Sequence, residues 1–436
     1  MARKVFEVAG QKYIVIAYTG FAELGLATEP PRPLAAVPLF DRVEDSLVEP
    51  LRRARSVEED FKVMGFRGVG GLLRAMAGES VASAPPQGNG RLSYEDKSVC
   101  PFVLFRGERS YEFSIMPTSY RPLAHIPAER HPRIRRRHTR IERRLARKIR
   151  AAVLISRRSW LTRLQSRAAA RHFGAVSTLA DFTFDPRVAA YFAHPTFNEA
   201  DRTASGAGTR PVGIIYEFRY DKLQRCLPIQ TFSTEESGAA TFTFQVITDV
   251  VEVPYLAFDA TKESIYPARC LVELPLYLTN RKIALRSVLV PTVARIRAQQ
   301  AAFLEIAGEA TADCVDSMRL WYLLDFICDK WCFFRSDRQY EEPPSITRRS
   351  FRKTRACCVW QQLAPWVERT LSQDHVGPRV RTAAHEAAVG DRRYERGPTI
   401  GSGYGDGSPV SELEHVPPQL NQGDSRGAED GRGYRH

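Results

Sequence analysis

The sequence has no apolar stretch that reaches across a bilayer. Runs such as Ala151 to Ile155 fall far short of the ~20 residues that a spanning helix needs, so a helical membrane protein is excluded. Met1 to Gly20 lacks the unbroken apolar segment of a secretory leader, because Arg3, Lys4, Glu7 and Lys12 interrupt it. A cytoplasmic protein with no membrane partner is the expectation. Cysteine is scarce, with 8 in 436 residues, and Cys100, Cys226, Cys270, Cys314, Cys328, Cys332, Cys357 and Cys358 are too thinly spread for a disulfide framework. Neither Cys328 and Cys332 nor the adjacent Cys357 and Cys358 has a second CxxC or a nearby histidine pair, so no metal site is expected and buried thiols are. Hydrophobic residues make up 43% of the chain, enough for one or two buried cores.

Basic residues outnumber acidic ones, 63 to 50, for a net charge of +13, and the excess is local. Residues 1–100 are balanced, whereas Arg130 to Arg150 carries ten arginines and Lys148 against Glu142 alone. Ile134, Ile141, Leu145 and Ile149 recur at helical spacing on one side of this segment. Arg133, Arg136, Arg137, Arg140, Arg144 and Arg147 recur on the other, which predicts an amphipathic helix with a dense cationic face. Such a face neutralises phosphates, making Arg136, Arg137, Arg140 and Arg144 the candidate nucleic-acid contacts. A plain solvated surface is the competing expectation, because no aromatics interleave to stack on bases.

Composition divides the chain into an N-terminal extension (1–99), a core domain (100–306), a helical extension (307–370) and a disordered tail (371–436) rich in Gly, Pro and Ser. In the extension, Lys12 to Ala17 reads as a strand, the Pro30 to Pro33 cluster interrupts, and Val43 to Leu51 and Val57 to Met64 read as short helices. Ser83 to Arg91 is a loop cluster, and Phe66-Arg67-Gly68 stands without a following motif. Beyond the core, Val315 to Phe334 is predicted to form one packing helix with Leu320, Leu323, Leu324, Ile327 and Trp331 on its inner face.

Within the core, Pro101 to Phe105 is a short apolar strand leading into Arg106-Gly107, a guanidinium beside a glycine that permits close backbone approach. Pro117 to Arg121 is a turn that brings Ser119 and Arg121 toward that strand. Thr162 to Phe173 is a helix with His172 in its last turn and Gly174 as its C-cap, followed by a strand over Ala175 to Phe184. Asp185-Pro186 opens a helix with Val188, Ala189, Phe192 and Ala193 buried. Asp181 and Thr183 then stand at a strand end before a helix N-terminus, a setting that suits an anionic ligand. Further strands are expected over Val212 to Phe218, Thr241 to Val253, Cys270 to Leu278 and Leu285 to Val290, and Arg295 to Leu304 closes a mixed α+β domain.

These residues resemble the FRG domain family. Phe105-Arg106-Gly107 followed by Pro117-Thr-Ser-Tyr-Arg121 is similar to its opening. His172-Phe-Gly174, Thr178, Asp181, Thr183, Pro186, Ala189, Phe192 and Ala193 resemble its central signature, and Arg295 with Gln299, Gln300 and Phe303 its closing motif. The chain departs from the pattern at Glu108, usually Gln, at Leu179, usually Arg, and at Ala301 or Ala302, where a Gly is usual. The order of elements also resembles ADP-ribosyltransferase-like folds, with a mainly antiparallel sheet flanked by helices. That resemblance implies a nucleotide or NAD cleft, with Arg106, Thr178, Gln299 and Gln300 as catalytic residues and Gly107, Ser119, Arg121, His172, Asp181 and Thr183 binding ligand. A protein or nucleic acid would be the acceptor of ADP-ribose. Glutamine orients by hydrogen bonds but is no general base. A non-catalytic binding module, in which Arg106 pairs with Asp181 structurally, is the alternative from a different class.

Overall fold

Runs of β-branched and aromatic residues feed one sheet, and helices cover both its faces. The computed structural model describes residues 5–63, 103–157, 163–172, 175–194, 210–227, 229–236, 239–246, 248–275, 282–288, 296, 299–308, 314–336, 338 and 340. Cys100, Gly174, Phe66 to Gly68, the Ser83 to Arg91 loop, Cys357, Cys358 and the 371–436 tail lie outside the described residues.

The hairpin of β1 (Val5–Val8) and β2 (Gln11–Ala17) turns through Ala9 and Gly10, both at positive φ. It is followed by α1 (Gly20–Glu23), β3 (Ala27–Glu29), β4 (Leu34–Phe40), α2 (Val43–Ser46) and α3 (Val48–Val63). Next come β5 (Val103–Glu108), α4 (His131–Arg157), α5 (Arg163–His172), β6 (Ala180–Thr183), α6 (Pro186–Ala193) and β7 (Val212–Arg219). The short α7 (Tyr220–Cys226) precedes β8 (Ile229–Glu236), β9 (Ala239–Val246), β10 (Val250–Asp259), β11 (Ser264–Glu273), β12 (Lys282–Val288) and β13 (Ala301–Gly308). Last are α8 (Cys314–Ile327) and β14 (Asp329–Phe334).

The fold is α+β. Strands run in the order β3-β11-β10-β4-β14-β7-β5-β6-β13-β12-β9-β8, with β2 paired to β4 and β1 to β2. Among the described residues the β14–β4 pair is parallel and the other pairs are antiparallel. The strands of residues 5–40 thus share a sheet with those of the core. A buried ion cluster adds to that union. The fully buried Glu217 on β7 accepts from Arg53 Nη1 on α3 (3.0 Å) and from Trp331 Nε1 on β14 (3.0 Å), while Arg53 also reaches Asp329 (3.0 Å) and Lys222 Nζ donates to Asp329 (2.7 Å).

Several expectations need correction. The helix expected over Val315 to Phe334 ends at Ile327, and Trp331 lies on β14 in the middle of the sheet, because Lys330-Trp-Cys-Phe-Phe334 is a strand-forming run once α8 has stopped. Thr241 to Val253 is broken into β9 and β10. In Ala175 to Phe184 only Ala180–Thr183 is strand, since the Ser177 carbonyl is taken by the Ser119 amide (3.2 Å) rather than by a ladder. Phe192, expected to be buried on α6, is 46% exposed.

Side chains alternate along β5. Leu104, Arg106 and Glu108 face one side, where Leu104 joins the large core with Ile115, Tyr120, Tyr216 and Trp321. Val103, Phe105 and Gly107 face the other, where Phe105 packs with Val43, Leu47, Ala189, Ala193 and Phe333. Gly107 admits the α6 backbone directly: a Cβ there would sit 1.8 Å from the Ala189 carbonyl oxygen and 2.9 Å from the Ala193 nitrogen. Asp185 caps α6, its Oδ1 accepting the Arg187 amide (2.9 Å), with Pro186 at the first helical position.

Gly107→Ala should therefore destabilise the protein by about 3 kcal/mol or more, read as a lowered thermal midpoint. Gly10→Ala meets open space but holds φ +78 and should cost only about 1 kcal/mol.

Candidate functional site

Arg106 is a guanidinium buried in the middle of a sheet, 6% exposed, and its position demands acceptors. Glu108, two residues along and therefore on the same face, takes Arg106 Nε (2.9 Å) and Nη2 (2.7 Å) on Oε1. Arg106 Nη1 donates across the sheet to the Asp181 carbonyl (3.2 Å) and carboxylate (3.4 Å) on β6. Arg121 closes the group from the other side: its Nη2 donates to the same Glu108 oxygen and to the Ser114 carbonyl (3.2 Å), and its Nε to Met116 O (2.8 Å). Arg171, from α5, donates to Asp181 Oδ1 (2.6 Å). Arg106 lies over the Phe182 ring and Arg121 over that of Phe113.

A second group lies beside it. Arg167, one turn before Arg171 on α5, forks onto both Glu305 oxygens (2.6 and 3.2 Å), reaches Thr178 Oγ1 (2.6 Å) and pairs with Glu142 (3.2 Å). Thr178 Oγ1 donates to Glu305 (2.7 Å), and the Ser177 hydroxyl donates to Glu142. The two groups together set four guanidiniums, of Arg106, Arg121, Arg167 and Arg171, against four carboxyls, of Glu108, Asp181, Glu142 and Glu305.

Burial acts on these carboxyls differently. Burial works to raise the pKa of Glu108, but Arg121 and Arg106 outweigh it and hold the carboxyl below its ordinary value. Asp181 is likewise opposed by burial and held well below the usual range by Arg171 and Arg106. Glu142 goes the other way: burial, only partly offset by Arg167, lifts it above the usual carboxylate range.

The sequence-selected residues do not all converge on one place. Arg106, Arg121 and Asp181 share the first ion group, and His172 presents its ring edge-on to Phe303 close to it. Ser119, 4% exposed, contributes its backbone amide to Ser177, and its hydroxyl is buried without a hydrogen-bond partner among the described residues. Thr178 belongs to the second group. Thr183 and Gln299 meet at the start of α6: Thr183 Oγ1 donates to the Gln299 carbonyl (2.7 Å) and accepts the Asp185 amide (3.1 Å), while the Gln300 carbonyl accepts the Phe184 amide (3.1 Å). Gln300 holds φ +46 at the entry to β13. Gly107 points to α6, on the sheet face opposite Arg106. Sequence reasoning missed Glu108, Glu142, Arg167, Arg171 and Glu305. Glu108 was visible as a departure from the family pattern, and Arg167 and Arg171 as two arginines four residues apart on the expected helix.

Arg136 and Arg140 line a groove on α4 together with Pro132, Arg135, Thr139, Arg143 and, from α8, Cys314, whereas Arg137 and Arg144 stand outside that lining. Among the described residues no group of His, Cys, Asp and Glu is placed to hold a metal ion, and no helix is long and apolar enough to cross a membrane. Cys226, Cys270, Cys314, Cys328 and Cys332 are free and buried, and burial pushes the Cys328 thiol up to about 12.

Because Glu108 and Asp181 have lowered pKa values, the stability they confer is full above the unfolded carboxylate values, ~4, and is lost as pH falls through the lowered ones. Glu108→Gln should cost about 3 kcal/mol at pH 7 by leaving two guanidiniums under-compensated. The Glu108→Gln/Asp181→Asn double variant should show a flatter acid limb than the unmodified protein in thermal unfolding from pH 7 downward.

No curated protein and no solved structure matches the chain. Residues 102–202 match the family described as FRG domain. That stretch runs from β5 through α6 and holds Arg106, Glu108, Arg121, Glu142, Arg167, Arg171 and Asp181, the ion network apart from Glu305. On this match and this architecture, the chain carries an FRG domain in residues 102–202.

Proposed function

We propose that the FRG domain binds a nucleotide-like ligand at the outer edge of the Arg106 network. One observation carries this reading: Asp181 keeps 44% of its side chain exposed while Arg171 and Arg106 hold it ionised from beneath. A fixed, ionised and accessible carboxylate accepts hydroxyl or amine donors, as acidic residues accept ribose hydroxyls in dinucleotide folds. Arg121, with 29% of its side chain exposed, is the cation within the same network for a phosphate. Arg106, its donors already on Glu108 and Asp181, positions these two groups and does not itself touch the ligand. NAD fits this donor and acceptor pattern.

The enzymatic form of the reading is transfer of ADP-ribose from NAD to a protein or nucleic acid. Within the network the carboxylate assigned to polarise an incoming acceptor is Glu305, which is 6% exposed and would have to exchange its Thr178 or Arg167 partner for the acceptor, since Gln299 and Gln300 bear no base. A second reading, a non-catalytic module with a purely structural network, is favoured by the four-to-four charge balance. Free buried cysteines support placing the protein in a reducing compartment such as the cytoplasm.

Titration calorimetry with NAD and with ADP, below the unfolding temperature of each variant, tests the proposal. The unmodified chain should bind at least one of them, and Asp181→Asn should weaken binding about 10-fold, the loss of a hydrogen bond to a charged group. Absence of binding by the folded protein would overturn the reading. If NAD binds, labelled NAD with mixed acceptors separates the two forms: transfer that Glu305→Gln abolishes without loss of NAD binding marks the enzyme, and binding without transfer marks the module.

A further inference from the structure

Arg130 to Arg150 contains a single acidic residue, Glu142, and the fold turns it inward. Glu142 is 2% exposed and held by Ser177 and Arg167. Its neighbours on the inner face, Ile141, Leu145, Ala146 and Ile149, are buried as well. Five arginines of the outer face carry charge that no carboxylate offsets among the described residues. Arg133, Arg136, Arg140, Arg143 and Arg147 are exposed, and none has a carboxylate partner among the described residues. Arg136 bonds only the Pro132 carbonyl of its own helix (3.2 Å). Crowding is felt inside the row, where burial and the neighbouring Arg133 depress the Arg137 pKa. Several exposed arginines elsewhere are paired, Arg52 with Glu49, Arg225 with Asp221, Arg187 with Asp185 and Arg269 with Glu252, while the exposed Arg32, Arg42 and Arg55 stand singly along the chain and not in a row on one helix face.

From this we infer that α4 is a docking face for the phosphate backbone of duplex nucleic acid, bound without regard to base sequence. Arg133 to Arg147 spans ~21 Å of helix at 1.5 Å per residue, a length over which a duplex presents roughly twelve phosphates. The groove supplies Arg135, Arg136, Arg140 and Arg143 along one wall, with the Thr139 hydroxyl between them as a further phosphate donor. Among the described residues that line it there is no aromatic side chain, so none of these stacks on the splayed bases of a single strand. The rigid seat of the helix, its inner face locked by apolar packing and by Glu142, holds the arginines at fixed spacing. This site is separate from the Asp181 edge, and neither proposal depends on the other.

Fluorescence anisotropy of the full chain on a labelled mixed-sequence duplex of about 20 base pairs tests the inference. Five phosphate contacts give a slope of log K against log salt of about −4.5. The Arg136→Gln/Arg140→Gln/Arg143→Gln variant should weaken binding at least ~10-fold at low salt and reduce the slope by about 3. The same three changes to Lys should restore binding, which a misfolded variant would not do. A control that removes equal charge elsewhere, Arg52→Gln/Arg225→Gln/Arg269→Gln, should leave affinity within about 2-fold. Equal losses from the two Gln triples would reduce the effect to net charge and overturn the inference. So would a flat salt dependence, tighter binding to the matching single strand, or tighter binding to anionic lipid vesicles.

Discussion

A buried arginine cannot shed its charge, so the structure around it must bring carboxylates to it. At Arg106 this requirement organises four parts of the chain that are distant in sequence. Glu108 answers from the same strand, Asp181 from β6, and Arg121 and Arg171 arrive because each carboxylate so placed can take a further guanidinium. Segment 113–121 is thereby drawn over the sheet, with Tyr216 Oη donating to the Phe113 carbonyl and the Ile115 amide to Asp325. α5 is held along the neighbouring strands by two arginines one turn apart. Breaking the central pair would release a strand pairing, a covering segment and a helix seat together, which is why the network is as much architecture as site.

Local signals were legible where physical chemistry is local. The strand at β2, the strand carrying Phe105 and Arg106, both faces of α4 and the Asp185-Pro186 cap of α6 all follow from periodicity or capping within a few residues. The closure of α5 also shows in the bond from the Ala175 amide back to Ala170, the six-to-one form of a helix stop. What escaped depended on partners far along the chain. Trp331 reads as helical from its spacing to Leu324 and Ile327, yet β7 and β4 offer open ladders on either side and claim the segment as strand. β4 was hidden because Pro38 and the preceding prolines argue against a strand. Pro38 is tolerated where the ladders to β10 and β14 leave it out of register.

The site was half legible for a related reason. Motif resemblance finds residues that lie close in sequence, so Arg106, Arg121, Asp181 and Thr178 were singled out. Glu142 and Glu305 sit 36 residues before and 127 residues after Thr178, and only the packing of α4 and β13 brings them to it. Glu108 illustrates the opposite case: a substitution within the motif, it supplies the carboxylate that lets two arginines share one buried place.

Gly107 has a mechanical consequence. Where helices rest on sheets through interdigitating side chains, small rotamer changes let the layers slip past each other by an ångström or so. Here the α6 backbone lies against the β5 backbone at Gly107, and again against β7 at Gly213, where a Cβ would meet the Ala193 carbonyl at 2.7 Å. At Gly107 the three nearest atoms to that position are all α6 backbone, and at Gly213 the Phe333 ring packs beside the Ala193 carbonyl. α6, β5 and β7 are therefore coupled by direct backbone contact, whereas the covering segment 113–121 and α5 meet the sheet through side chains: the Arg121–Glu108 and Arg171–Asp181 pairs and the Tyr216 hydroxyl on the Phe113 carbonyl.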